Sequence, residues 1–160
     1  MKTLKLAWLA LMMLVASCTV APETTELYVF ERRGELPAVN RIASSSAAVN
    51  TAAQLLKTHN YDQSLAYYLY AAETFDPSAE IWLGIGSASS LSGRYRTAEN
   101  AFRQYALLAG PDVIYFNNIG FMYLLEGEFA KARSALEKAH AFEPGNQTVE
   151  NNLRILEALK

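Results

Sequence analysis

The side chains best suited to covalent or metal chemistry are few, because the 160-residue chain has one cysteine, Cys18, and two histidines, His59 and His140. A lone cysteine cannot form a disulfide within the chain, and these three residues give too few ligands for a closed Cys/His zinc site. Neither histidine has a cysteine or serine partner near it in the sequence, so both are expected at the surface or its boundary. The chain also has no glycine-rich phosphate loop and no nucleophile elbow. The sequence therefore predicts that the protein is not an enzyme and needs no metal or cofactor.

The cysteine has a different candidate role, as a lipid attachment point. Residues 15–18, Val-Ala-Ser-Cys, resemble the lipobox of bacterial lipoproteins, in which an aliphatic and two small residues precede a cysteine. The resemblance implies that the Cys18 thiol accepts the acyl chain and that Cys18 becomes the new N-terminus. Residues 1–17 fit a signal peptide, since two lysines precede an apolar run at 6–15 that is too short to span a membrane. The alternative is an ordinary cleaved signal followed by an incidental cysteine.

Thr19, the residue after this cysteine, bears on location. In the lipoproteins of Gram-negative bacteria, an aspartate at this place favours retention in the inner membrane. Thr19 is not an aspartate and so lacks this retention signal. The resemblance therefore implies sorting to the outer membrane, with the following domain facing the periplasm. Residues 18–44 contain Pro22, Gly34 and Pro37, a composition that indicates a lipidated N-terminus and a tether.

Two pairs of adjacent asparagines, Asn117-Asn118 and Asn151-Asn152, are separated by 34 residues. A side-chain amide carries both a hydrogen-bond donor and an acceptor. Amides spaced along one surface can therefore bind the backbone of an extended peptide whatever its sequence. Such a surface requires structural elements that repeat with the same period.

The same period of 34 runs through the chain from about residue 45. Aromatic residues recur at positions 61, 95 and 129, small residues at 64, 98 and 132, and glycines at 86 and 120. A period of this length indicates stacked supersecondary units that bury their apolar faces on one another.

These units resemble the tetratricopeptide repeat. The residues that carry the resemblance are Trp82, Ile85, Gly86, Ala98 and Phe102 in the second unit, and Phe116, Ile119, Gly120, Tyr123, Ala132, Leu136 and Pro144 in the third. The resemblance implies an all-α fold, an α-solenoid of three helix pairs at 45–78, 79–112 and 113–146, with a C-terminal capping helix at 147–160. Ser89 stands where the family has tyrosine, and the first unit is the weakest match.

Small residues and glycines have expected places in such units. Gly86 and Gly120 are expected where helices cross, because only a small residue allows close approach. Gly93 and Gly127 are expected to take a positive φ in the turn within each unit.

Aromatic residues divide into two groups by the period. Those expected to fill the gaps between helix layers are Trp82, Tyr95, Phe102, Phe116, Tyr123 and Phe129. Tyr67 and Tyr70 are off the repeat, so we expect them to contact the N-terminal segment or a partner.

The resemblance also implies a concave groove lined by the first helix of each unit. The side chains that it assigns to this groove are Asn50, Leu83, Ser87, Asn117, Asn118, Phe121, Asn151 and Asn152. We predict that a protein partner binds here as a peptide, with added apolar contact from Leu91, Leu124 and Leu125. The alternative is that the asparagines cap helices or bond neighbouring helices. Family members that clamp a C-terminal carboxylate use Lys and Arg in the groove, and positions 2, 5, 6 and 9 of the three units hold neither, so no clamp is expected.

Charge and resemblance together set the expected function. The net charge is −2 and no basic run occurs, which disfavours nucleic-acid binding. A lipid-anchored tetratricopeptide protein resembles the pilus-assembly lipoproteins, above all the TadD-like proteins of tight-adherence (Flp) pilus systems. This resemblance implies a scaffold that assists pilus or secretin assembly, with a secretin or pilus component as partner. The alternative is a general periplasmic adaptor that recruits cell-wall or envelope enzymes.

Overall fold

The computed structural model describes residues 35–159, and this part of the chain is entirely helix and connecting segments. Its seven helices are α1 Ser45–Lys57, α2 Tyr61–Thr74, α3 Ala79–Leu91, α4 Tyr95–Ala109, α5 Val113–Glu126, α6 Phe129–Phe142 and α7 Gln147–Ala158. The predicted all-α solenoid of three helix pairs and a final single helix is confirmed. None of these seven helices is long and apolar enough to cross a membrane. The predicted signal peptide, Cys18, Thr19 and most of the tether lie outside the described residues.

Polar side chains spaced by 34 residues start the odd-numbered helices. Each accepts a hydrogen bond from a backbone N–H in the first turn that follows it. The four capping residues are Ser44, Ser78, Asp112 and Asn146, at donor–acceptor distances of 3.3, 3.3, 2.8 and 3.1 Å. A cap of this kind stabilises a helix by about 1 kcal/mol, so the repeat period is present in the helix starts as well as in the core.

The turns within the helix pairs share one backbone conformation. Gly93 and Gly127 have φ of 73° and 84°, which confirms the prediction for both. His59 occupies the same place in the first unit, with φ of 62°. A side chain makes this left-handed conformation costly for any residue other than glycine. The first unit therefore carries local strain that the other two avoid.

We expect His59→Gly to raise the free energy of unfolding by about 0.5–1 kcal/mol, because glycine adopts this φ without strain. The gain is partly offset by loss of the 2.7 Å hydrogen bond between His59 Nδ1 and the Tyr61 hydroxyl. Urea unfolding followed by circular dichroism measures the change. His59→Ala is the control, since it keeps the strain and loses the bond, and it should be less stable than the parent. If the glycine and alanine variants were equally stable, backbone strain would not be the cause.

The helices form two layers. The odd-numbered helices contact one another in series, α1 with α3, α3 with α5 and α5 with α7. Within the described chain, the even-numbered helices contact only odd-numbered ones. Because the odd-numbered helices are closer together, they form the inner, concave layer, and the even-numbered helices form the outer layer.

Glycines let the two layers approach closely, as predicted. A Cβ atom built on Gly86 would lie 2.3 Å from the Phe102 ring, and one on Gly120 would lie 2.8 Å from Leu136. Gly84 plays the same part in α3, where its Cβ would lie 2.2 Å from the Tyr68 ring. Gly84 therefore packs against the outer layer, which explains why no asparagine stands there.

The aromatic residues predicted to fill the gaps between helix layers differ in burial, and Tyr95, Phe116 and Tyr123 are only half-buried. Trp82 and Phe102 are buried, whereas Phe129 is 40% exposed. The repeat-equivalent Tyr95 donates a 2.9 Å hydrogen bond to the carbonyl of Leu125, near the end of the inner helix of the following unit. For Phe129 the residue that corresponds to Leu125 is Leu159, which is itself 52% exposed. The prediction that Phe129 fills a gap between helix layers was wrong, because Leu159 leaves the Phe129 ring exposed.

An extended segment at residues 36–42, here called the strap, lies against α2. Its apolar side chains that pack on the core are Leu36, Val39 and Ile42. The Asn40 N–H donates to the Tyr67 hydroxyl at 3.3 Å. The Ile42 N–H donates to the Tyr70 hydroxyl at 3.1 Å, which in turn donates to the Ile42 carbonyl at 3.0 Å. The prediction that Tyr67 and Tyr70 contact the N-terminal segment is confirmed.

Candidate functional site

The inner face of the array presents one row of side chains from each odd-numbered helix. On α5 the row follows the helical spacing of 114, 117, 118, 121 and 125, so these residues share one side of the helix. Ile114 and Leu125, at its two ends, are 43% and 40% exposed. The face is therefore open to a ligand along the length of α5.

A cavity of about 180 Å³ lies between the starts of α5 and α7. Asn117 and Asn118 line it, together with residues that begin the two helices. Asn50 is exposed on α1 at the other end of the array. The structure thus gathers two of the predicted asparagines at one cavity and leaves Asn50 apart from them.

Among the asparagines predicted to line the groove, Asn152 is the least accessible to a ligand. It is only 7% exposed, and its Nδ2 donates a 2.9 Å hydrogen bond to Asn117 Oδ1. The bond joins α7 to α5 across the repeat boundary. Its surroundings favour the structural alternative for Asn152, since its donor is already used inside the protein.

The other amides are partly used by their own helices. Asn118 Nδ2 donates to the Ile114 carbonyl at 2.8 Å. Asn151 Oδ1 accepts from Gln147 Nε2 at 3.4 Å and also from the Arg154 guanidinium. Among the described residues, Asn117 Nδ2 and Asn118 Oδ1 have no hydrogen-bond partner. These two atoms offer one donor and one acceptor at the cavity, the set that one peptide unit of a ligand needs.

We expect Asn152→Ala to lower the free energy of unfolding by about 1–2 kcal/mol, because it leaves Asn117 Oδ1 half-buried without its partner. Asn117→Ala should act similarly, and the double variant should cost clearly less than the sum of the two. Urea unfolding of the four proteins gives the coupling energy. Strictly additive single effects would contradict a direct bond between the two side chains.

An apolar row accompanies the amides along the inner face. Leu91, Leu125 and Leu159 recur at intervals of 34, and Phe121 and Ile155 lie one turn before the last two of them. Ile155 and Leu159 are 46% and 52% exposed. The repeat resemblance already places Ile155 at the same groove position as Phe121, whereas Leu159 was not predicted for this face, although its spacing of 34 residues from Leu125 carries the signal.

Three further residues predicted to line the groove differ in how far they are buried. Leu83 and Ser87 are half-buried on α3, where the Ser87 hydroxyl donates to the Leu83 carbonyl at 2.8 Å. Leu124 is 7% exposed and packs in the core with Leu136 and Leu156. The expectation that Leu124 faces the groove was wrong, because it lies one residue around the helix from Leu125.

Tyr105, on α4, is a titratable residue that contacts the start of α5. Burial, together with the 2.9 Å hydrogen bond to Asp112, raises the pKa of Tyr105 to about 12. The phenol is therefore neutral at physiological pH and acts as a donor that orients the Asp112 cap. Within residues 35–159, no cluster of His, Cys, Asp and Glu is placed to hold a metal ion. His59 and His140 are both exposed, as predicted.

Neither protein-family models nor curated protein sequences match the chain, but solved structures do. The second TPR (tetratricopeptide repeat) domain of human RPAP3, in complex with an HSP70 peptide, matches with a TM-score of 0.61 and 19% identity, covering 71% of this chain and 94% of that one. The TPR domain of Arabidopsis OM64 gives 0.63 and 16%, covering 72% and 96%. The Yersinia enterocolitica type III secretion chaperone SycD, in complex with a peptide of the translocator YopD, gives 0.59 and 17%, covering 75% and 98%. At these identities the likeness establishes the fold, which is that of a tetratricopeptide repeat domain.

Proposed function

We propose that the protein is a membrane-anchored scaffold that binds a peptide segment of a partner protein on the inner face of its repeat array. The observation that carries this proposal is the pairing, on one open face, of unbonded amide atoms at Asn117 and Asn118 with the apolar row. Amides bind a peptide backbone, and an exposed apolar row binds its side chains. Solved structures of the same fold include complexes with peptides, which supports this use of the fold.

The chemistry of the inner face indicates the kind of peptide. Positions 2, 5, 6 and 9 of each unit, which supply most of the predicted groove, contain no Lys or Arg. Leu125, Ile155 and Leu159 widen the apolar row toward the C-terminal end of the array. We infer that the ligand is an internal, apolar-rich segment that is recognised without a charged terminus.

The anchor is the second part of the proposal. Cys18, in a lipobox-like tetrapeptide, would attach the chain to the outer membrane and leave the repeat domain in the periplasm. Several acyl chains on one cysteine bind a membrane stably, since each buried CH₂ contributes about 0.8 kcal/mol. Cys18→Ser should move the protein from the membrane fraction to the soluble periplasmic fraction after signal cleavage. Retention of the cleaved Cys18→Ser protein in the membrane would exclude a lipid anchor at this residue.

The proposed partner is a component of an envelope-spanning assembly, a pilus subunit or a secretin. A short array on a lipid tether suits this role, because it can hold an exposed segment of a large complex close to the membrane. A general periplasmic adaptor for cell-wall enzymes would have the same architecture, so identification of the partner separates the two.

Photocrosslinking tests the inner face directly. A benzoylphenylalanine residue at position 118 should trap the partner in cells, and mass spectrometry of the product identifies the protein and the crosslinked segment. The control is the same residue at the exposed position of Glu73 on α2, which should not give this product. With the crosslinker kept at position 118, Phe121→Ala combined with Leu125→Ala should abolish the product, and thermal melting checks that the double variant stays folded, since Phe121 also packs against a buried cluster. Equal crosslinking from both positions, or an unchanged yield in the double variant, would contradict binding on the inner face.

A further inference from the structure

A second concavity lies on the outer side of the last repeat, in the crevice between α5 and α6. This outer groove has a volume of about 280 Å³, and its floor is aromatic, formed by Tyr115, Phe116 and Tyr123. Two lysines of α6 stand over the floor. Lys131 Nζ is 5.4 Å from the centre of the Tyr123 ring, and Lys138 Nζ is 5.5 Å from the centre of the Phe116 ring. The groove is separate from the inner face, because α6 belongs to the outer layer.

The repeat register relates the outer groove to the strap. Ala135 and Lys138 on α6 stand two repeat periods after Tyr67 and Tyr70 on α2. In the first unit, this side of the outer helix is covered by the strap, whose backbone is bonded to the two tyrosine hydroxyls. The protein itself therefore shows that this side of an outer helix accepts an extended chain. In the last unit the corresponding side is open.

One pair of substitutions between the repeats explains why the groove is open. Leu65 and Leu69 on α2 are 0% and 5% exposed. Their counterparts on α4 are Glu99 and Arg103, which pair with each other at 2.7 Å. Glu99 also accepts a 3.2 Å hydrogen bond from the hydroxyl of Tyr123 on the groove floor. A hydrated ion pair cannot exclude water from a crevice as two leucines do. The side of the outer groove next to α4 therefore stays open and polar.

The charges around the outer groove favour an anionic ligand. The Glu99 carboxylate is shared by Arg103 and Tyr123, and Lys131 lies 3.4 Å from Glu128. Lys138 has no carboxylate partner among the described residues. Lys131 and Lys138 are two helical turns apart, about 10.5 Å along α6, which three residues of an extended peptide also span.

We propose that the outer groove binds a short, acidic, extended segment of a partner protein. In this complex one carboxylate of the segment lies at Lys138 and another at Lys131, about three residues apart. An aromatic or aliphatic side chain between them packs on the Phe116 and Tyr123 rings. This site lies beyond the proposed function, since it involves the opposite layer of the array and different chemistry from the neutral inner face.

A defined peptide pool provides the probe. Its members are N-acetylated hexapeptide amides with two glutamates three residues apart and Phe, Tyr or Leu at the positions between them. The matched pool has glutamine in place of both glutamates. Each pool is titrated to 1 mM into the ¹⁵N-labelled, purified full chain, and amide chemical shifts report where it binds. We expect the acidic pool to shift the amides around Phe116, Ala135 and Lys138 and the glutamine pool to bind at least about five times more weakly.

Charge-matched variants complete the test. Lys131→Gln combined with Lys138→Gln should weaken binding of the acidic pool by about tenfold or more, whereas Lys57→Gln on α1 should leave it unchanged. All three lysines are exposed, and thermal melting checks that the variants stay folded. Absence of shifts at 1 mM, shifts confined to the inner face, or equal binding of the two pools would overturn the proposal. Shifts at the outer groove that depend on protein concentration alone would also overturn it, since the occupant would then be a second copy of the chain.

Discussion

Replacing Gly86 with valine is expected to lower the free energy of unfolding by about 4 kcal/mol, enough to unfold much of the protein. The first added atom would lie 2.3 Å from the Phe102 ring, well inside van der Waals contact. Phe102 is 1% exposed and lies between α3 and α5, so its ring has no free space into which to move. Either α3 and α4 must separate or the ring must leave its rotamer, and both disturb the interface at the middle of the array.

Three companion variants make this prediction specific. Gly86→Ala should cost about 1–3 kcal/mol, although alanine favours helix over glycine at an unhindered site by about 1 kcal/mol. Phe102→Leu should recover part of this loss when combined with Gly86→Ala, because the smaller side chain leaves room for the added methyl group. Gln54→Val, at an exposed site of α1, controls for the low helix propensity of valine. Circular dichroism during urea unfolding gives all four values, and a Gly86→Val protein as stable as the Gln54→Val protein would refute the close contact.

Arg94→Ala is expected to lower the free energy of unfolding by about 3 kcal/mol, an effect much larger than that of removing its acidic partner. Arg94 is 1% exposed at the turn before α4, and its Nε and Nη2 atoms lie 3.4 Å from Asp62 Oδ1 on α2. The side chain fills space between the first two repeats as well as carrying charge. Its removal therefore leaves a cavity at the repeat boundary.

Removal of Asp62, the acidic partner of Arg94, should lower the stability much less. Asp62 is 51% exposed and lies 3.4 Å from Arg94, and Arg94 has interactions other than this pair, so its charge keeps partners and Asp62→Ala should cost only about 1 kcal/mol. Arg94→Met, which keeps much of the volume, should fall between the two. The same unfolding assay ranks the three variants. If Asp62→Ala destabilised the protein as much as Arg94→Ala, the ion pair rather than the packing of Arg94 would hold the boundary.

The sequence was sufficient to predict the features that depend only on the type of one residue and on its place in the 34-residue repeat. The crossing points at Gly86 and Gly120 and the positive φ at Gly93 and Gly127 follow from residue type and spacing, and the structure shows all four. His59 takes that φ without being a glycine, so residue type alone did not reveal it. Position in the repeat determined its backbone conformation.

The candidate site was harder to predict, because its details depend on how two helices are rotated against each other. Asn151 and Asn152 are neighbours in sequence, yet Asn151 is exposed while Asn152 is 7% exposed and bonds Asn117. Successive side chains on a helix point about 100° apart around its axis. A small error in the assumed rotation of the helix therefore moves a residue from the groove to the interface between helices. The outer groove exists because Glu99 and Arg103 on α4 stand at the repeat positions that Leu65 and Leu69 occupy on α2. The sequence shows this difference, but its effect on the groove is clear only once the packing of the helix layers is known.

The stacking of each helix against only its near neighbours sets how the chain folds in time. Because helices contact partners one or two places away in sequence, every loop that must close is short, and we expect folding in microseconds to milliseconds. The largest buried cluster joins the first repeat to the second, and the smallest joins the last pair to α7. Folding should therefore nucleate at the N-terminal end and propagate toward α7. In the proposed export to the periplasm that end also emerges from the membrane first, so the order in which the chain emerges and the order in which it gains stability coincide.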